Sequence, residues 1–140
     1  MKISTNSRYA LRFLVRVAQR EGERTTTAFI AELEGISEKL LERIAAKLAA
    51  EGFVQSVKGA KGGYILSRPA SEITVSEILK TMERPYLPHH CIEDPENCCK
   101  MYEGCGLLCL WQKIDNAILS VTDNVTVADL AKQRINCHDM

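Results

Sequence analysis

Five of the chain's six cysteines fall between residues 91 and 109, in the stretch CIEDPENCCKMYEGCGLLC, with the spacing C-x6-C-C-x5-C-x3-C. Thiols this dense cross-link a chain, hold a metal or cluster, or carry out redox chemistry. The first residues, MKISTNSRYALR, show no apolar core or cleavage site of a signal peptide, and no apolar run is long enough to span a membrane. That predicts a cytoplasmic protein with no membrane partner. Thiols stay reduced in that compartment, which disfavours structural disulfides. Structural zinc prefers two short cysteine hooks, and only Cys105/Cys109 makes one. The second would have to be assembled from His89, His90, Cys91, Cys98 or Cys99. Iron–sulfur clusters accept wider spacing and a non-cysteine donor. A thiol oxidoreductase using Cys98-Cys99 or Cys105/Cys109 would lack both a C-x-x-C motif in a βαβ setting and a nucleophile–base pair, so the chain reads as a non-enzyme with no catalytic residue. Cys109 also fits as a small apolar residue on the inner face of a helix. Cys137 lies in a polar tail and receives no role.

The elements that must position these thiols begin with a charge asymmetry. The net charge is zero, yet residues 1–68 carry 12 Lys and Arg against 7 Asp and Glu, and residues 69–140 carry 6 against 11. A basic front half suggests a polyanion partner. Its first helix, over Ser7 to Arg20, has apolar positions Tyr9, Leu11, Phe13, Leu14, Val17 and Ala18. Arg8, Arg12, Arg16 and Arg20 recur every four residues as a basic stripe. Thr25 to Thr27 cap a short helix that stops at Gly35, and Ser37 caps a third helix that buries Leu40, Leu41, Ile44 and Leu48 and ends at Gly52. Two helices joined by a short glycine-containing turn form a helix-turn-helix.

Phe53 to Val57 and Tyr64 to Leu66 flank a glycine-rich turn bearing Lys58 and Lys61, which predicts a β-hairpin wing. A phosphate-binding loop is excluded there, because no Lys-Ser/Thr pair and no helix follow. Thr74-Val75-Ser76-Glu77 is a capping box for a fourth helix. Arg84 to Glu103, with three prolines, reads as a loop. From Gly106 a long amphipathic helix carries Leu107, Leu110, Trp111, Ile114, Ile118 and Leu119, and a short helix follows over Thr126 to Gln133.

The expected fold is mainly α with a small β-hairpin wing (α+β): a winged helix-turn-helix with a long C-terminal dimerisation helix. Residues 1–82 would form the DNA-binding domain, 83–105 a cysteine-rich cluster-binding loop, 106–134 the dimerisation and short C-terminal helices, and 135–140 a tail. Double-stranded DNA with a palindromic operator suits a two-fold homodimer. In helix-turn-helix readers the start of the second helix enters the major groove, which here places Ser37, Lys39, Glu42 and Arg43 at base edges or phosphates. Lys58 and Lys61 would reach an adjacent groove, and Arg8 and Arg12 would hold the backbone.

Across nearly the whole chain, the stretches MKIST, RYALR, GISEKLLERIAAKLAAEGFVQSVKGAKGGYILS, ITVSEILKTME, the cysteine loop, and LW ahead of VTVADL resemble the Rrf-two family of winged-helix regulators. The resemblance implies a DNA-binding transcriptional repressor. In the cluster-binding members three loop cysteines ligate the cluster, and by position these are Cys91, Cys99 and Cys105. It further implies that Glu42 tunes operator choice, that Lys58 replaces a wing arginine, and that a 2Fe–2S cluster is favoured over 4Fe–4S. Where those members place a histidine ligand this chain has Leu108, and where nitric-oxide-sensing members place an acidic ligand it has Arg8. Cys109 is therefore the first candidate for a fourth ligand, with Cys98, His89 and His90 behind it. The members that regulate cysteine metabolism lack these cysteines, which groups this chain with the sensors. A zinc-structured regulator without redox sensing is the alternative.

Overall fold

Ser4 begins the ordered architecture because its hydroxyl can accept the Ser7 N–H, here at 3.1 Å, and so cap helix α1 (Thr5–Gln19). A computed structural model of the chain describes residues 3–83, 91, 92, 94, 97 and 103–133. Along α1 the buried positions Ala10, Phe13, Leu14 and Val17 follow helical spacing. Of the apolar positions read from the sequence, Tyr9, Leu11 and Ala18 sit at the edge of the core, and Ala10 is fully buried within it. Thr26 accepts the Phe29 N–H at 3.1 Å and opens α2 (Thr27–Glu34). Gly35 ends it in the left-handed conformation, at φ 64°.

After that turn, α3 (Glu38–Ala50) buries Leu41, Ile44, Ala45 and Leu48. Ser37 is its N-cap residue, yet its side chain makes no capping hydrogen bond. The wing follows as strands β1 (Val54–Val57) and β2 (Gly63–Leu66), antiparallel, with Val54 opposite Leu66 and Val57 opposite Gly63. Thr25 adds a third rung: its N–H donates to the Tyr64 carbonyl at 3.0 Å and its carbonyl accepts the Tyr64 N–H at 2.8 Å. Gly63 is required at this crossing, since a Cβ there would lie 2.9 Å from the Thr25 carbonyl oxygen. Phe13 from α1 meets the Tyr64 ring edge-on, with centroids 5.5 Å apart.

The capping box predicted at Thr74 is present and opens α4 (Val75–Met82). A second box, Thr126 with Asp129, opens the short helix α6 (Val127–Ala131). The two boxes are laid against each other. Thr74 and Thr126 form an antiparallel bridge, the Val75 N–H donates to the Val125 carbonyl at 2.9 Å, and the Val127 N–H donates to the Ile73 carbonyl at 2.9 Å. Ile73 and Val127 are both fully buried in the core shared with α1, α3 and the wing. The core expected within residues 1–82 therefore also takes in Val127, and α6 packs on α1.

Helix α5 (Gly106–Thr122) differs in kind, for none of its residues is buried. Leu107, Leu110 and Val121 are exposed, while Trp111, Ile114, Ile118 and Leu119 are half-covered. Within the segment predicted as loop, Cys91, Ile92 and Asn97 are helical. No described helix is long and apolar enough to cross a membrane.

Val127→Ala removes two methyl groups from a fully buried site and is expected to lower stability by about 2–3 kcal/mol. Urea unfolding followed by circular dichroism measures it; a loss near zero would detach α6 from the core. Two capping carboxylates set the response to acid. For Glu83, burial pushes the pKa up, but hydrogen bonds from the Ser7 side chain and from Ser4 outweigh it and hold the group low. The Ser4 N–H donates to Glu83 at 2.6 Å. For Glu77, burial again pushes up, while the Thr74 N–H and Arg68 hold the group low. Depressed native pKa values stabilise the fold above the ordinary value of 4.5 and lose that stability as pH falls through and below it. The thermal midpoint should therefore fall below that pH, and less steeply in Glu83→Gln, as thermal scans across pH would record.

Candidate nucleic-acid interface and cysteine segment

Helix α3 turns one face to the core, so its opposite face carries Ser37, Glu38, Lys39, Glu42, Arg43 and Lys47, all exposed. None of Ser37, Lys39, Glu42, Arg43, Lys58 or Lys61 forms a side-chain hydrogen bond or ion pair with a described residue. Their donors and acceptors are thus available to a partner without breaking an internal contact. The uncommitted Ser37 hydroxyl at the start of α3 is the clearest instance.

Five arginines of the front half, Arg12, Arg16, Arg20, Arg24 and Arg68, are committed. Arg12 donates to Glu34 at 3.1 Å, and Arg16 pairs with the same carboxylate. Arg20 pairs with Glu23 at 2.6 Å and lies over the Phe29 ring, 4.5 Å from its centroid. Of the stripe predicted along α1, only Arg8 is an exposed cation without an acidic partner among the described residues. Arg12, expected to hold the DNA backbone, is paired with Glu34, the last residue of α2.

Two arginines that sequence reasoning passed over build the wing. Arg24 donates to the Lys61 carbonyl at 3.2 Å and so braces the wing tip from below. Arg68 donates to the Glu72 carbonyl at 2.8 Å and to Glu77 at 2.9 Å, and covers the Phe53 ring at 5.5 Å. Their partners are distant in sequence or on the backbone, so no local spacing announces them. Glu34 was missed for the same reason.

Of the candidate metal ligands, Cys91 and Cys105 are half-buried and Cys109 is exposed. Cys98, Cys99, His89, His90 and Cys137 lie outside the described residues. Among the described residues no group of three His, Cys, Asp or Glu side chains converges as a metal site. Cys105 is the N-cap residue of α5; its side chain makes no capping hydrogen bond, and no acidic residue occupies the first turn. Cys105 thus stands at the end of the cysteine segment, where the first-turn N–H groups of the 17-residue helix α5 lack intrahelical partners. Cys109 sits one turn along the same side of α5, and Leu108, half-buried, offers no donor.

Comparison with known proteins agrees with this architecture. Residues 3–133 match the Rrf2 family model, described as an iron-dependent transcriptional regulator. CymR of Bacillus subtilis is 36% identical over 132 residues, covering 94% of this chain and 90% of that protein. The structure of B. subtilis CymR, described as the global cysteine regulator, superposes with a TM-score of 0.76 at 34% identity over 95% of this chain and 98% of that one. NsrR of B. subtilis is 30% identical over 135 residues, covering 96% of this chain and 92% of that protein. The structure of T. potens IscR gives a TM-score of 0.78 at 30% identity, covering 99% and 91%. Identity is thus higher with CymR than with IscR. With its winged helix, its uncommitted α3 and wing cations, and a family match over almost its whole length, the chain belongs to the Rrf2 family of DNA-binding transcriptional regulators, which are not enzymes.

Proposed function

We propose that this protein is a homodimeric repressor that reads a palindromic operator and whose DNA affinity follows an iron–sulfur cluster held by Cys91, Cys99 and Cys105. The observation that carries this reading is the placement of Cys105 as the N-cap residue of α5, at the end of the cysteine segment and one helical turn from Cys109. Cys109 is the first candidate for the fourth ligand, ahead of Cys98, His89 and His90. A bound 2Fe–2S or 4Fe–4S cluster would supply a group that oxygen, nitric oxide or iron shortage can remove. Cys91 and Cys105 both lie in the segment between α4 and α5, so their ligation would constrain how α5 leaves the winged domain. The exposed Leu107, Leu110 and Val121 give α5 an apolar surface that one copy leaves uncovered, which supports its use between two copies.

On DNA, Ser37, Lys39 and Arg43 would donate to base edges and phosphates, with Glu42 accepting from cytosine or rejecting other bases. Lys58, Lys61 and Arg8 would hold the flanking backbone. A second reading, regulation by thiol or cysteine level without a cluster, draws on the higher identity to CymR.

Purified without oxygen, the protein is expected to carry iron and sulfide in equal amounts, with visible absorbance that bleaches in air. Cys105→Ala should lose the absorbance while keeping its helicity, and loss in only one of Cys98→Ala and Cys109→Ala would name the fourth ligand. Stoichiometric zinc without iron would support a zinc-structured regulator instead, and a metal-free protein with intact DNA binding would support the cysteine-level reading. On DNA, Arg43→Ala and Lys39→Ala should each flatten the dependence of log K on log salt by about 0.9 where they meet phosphate. A base-edge role would instead relax the sequence preference at one position. Fluorescence anisotropy across a salt series separates the two, and no effect of either variant would remove α3 from the interface.

A further inference from the structure

Glu34 ends α2 three residues before Ser37, so its carboxylate stands beside the turn that leads into the recognition helix. Its side chain is only 9% exposed, and it bonds Arg12 and Arg16 together. The guanidiniums also lie at the C-terminal end of α2, where the unpaired carbonyls favour cations. Two guanidiniums that a DNA-binding surface would ordinarily spend on phosphate are thereby held by one internal carboxylate. They are not remote from that surface: Arg12 is one helical turn from Arg8 along α1, and its side chain keeps 55% of its exposure. Non-specific affinity for DNA rises with each phosphate that a protein neutralises, whereas base contacts carry the discrimination.

From this geometry we propose that Glu34 is a specificity-determining residue, withholding Arg12 and Arg16 from DNA phosphates so that binding depends on the base-reading side chains of α3. The proposal rests on α3 and the wing facing DNA. In a chain with zero net charge, removing the Glu34 carboxylate would leave both guanidiniums open to phosphate and add sequence-independent attraction. The same carboxylate also ties α2 to α1, so its removal has a structural consequence that the test must separate from the electrostatic one.

The test is fluorescence anisotropy on a random-sequence 30-base-pair duplex, at salt from about 50 to 200 mM where phosphate contacts dominate. Glu34→Gln should bind this duplex more tightly at low salt, and its plot of log K against log salt should steepen by about 0.9 for each arginine released. Arg12→Gln/Arg16→Gln in the native background should leave the wild-type slope unchanged, and the same pair added to Glu34→Gln should return the slope to wild type. A wild-type slope that flattens in Arg12→Gln/Arg16→Gln would overturn the proposal, because both arginines would already be on phosphate. So would an unchanged or shallower slope in Glu34→Gln with native circular dichroism. If Glu34→Gln fails to fold, the arginine pair in the native background still decides. Lys39→Ala/Arg43→Ala serves as the separate control: if it leaves binding of the duplex intact, the orientation of α3 toward DNA has failed, and that result is distinct from either Glu34 outcome.

Discussion

The bridge between Thr74 and Thr126 is the constraint on which the rest of the molecule depends. Two helix starts, each with a threonine cap and an acidic residue three positions later, are pressed together so that Ile73 and Val127 enter one core. Everything between them, the end of α4, the cysteine segment and α5, is an excursion whose far end is returned to the winged domain at this point. A change in how the cysteine segment is held therefore has two routes to the DNA-reading half, through α4 and through α6. Helix α6 packs on α1, and Glu83 at the end of α4 accepts the Ser4 N–H that begins α1. Both routes converge on the helix that supports α3.

Charge in this protein is arranged by commitment more than by number. The front half has a surplus of cations, but Arg12, Arg16, Arg20, Arg24 and Arg68 are all engaged with carboxylates, carbonyls or aromatic rings. Lys39, Arg43, Lys58 and Lys61 are exposed on α3 and the wing. Exposed ion pairs such as Arg20 with Glu23 contribute little to stability, typically about 0–1 kcal/mol. What they do is decide which cations remain for a partner. That selection leaves exposed cations on α3 and the wing in a chain of zero net charge.

Much of the fold was legible because local signals agreed with one another. Thr26, Gly35, Ser37 and the Thr74–Glu77 box marked helix ends where the structure has them, and the glycine-flanked lysines marked the wing. Other features depended on partners that spacing does not reveal. The Thr126 box is as readable as the Thr74 box, but nothing local shows that the two meet. The arginine stripe on α1 is real as periodicity, yet Glu34 comes from another helix and changes what Arg12 and Arg16 are free to do. Leu40 was expected in the core and Ala45 was not; the structure leaves Leu40 half-covered and buries Ala45, because α3 is packed from two sides. In the cysteine segment, composition identified the thiols, and the structure puts Cys105 at the N-cap of α5.

Regulation by a cluster requires DNA affinity to differ between the loaded and cluster-free protein, by the coupling free energy between the two sites. The most direct measurement selects duplexes from a random pool with the anaerobically loaded protein, then determines their affinity before and after the cluster is removed with a chelator. A sensing regulator should show affinities that differ by about fivefold or more, within the usual range of allosteric coupling. Equal affinities for loaded and cluster-free protein, with the dimer intact in both, would contradict it.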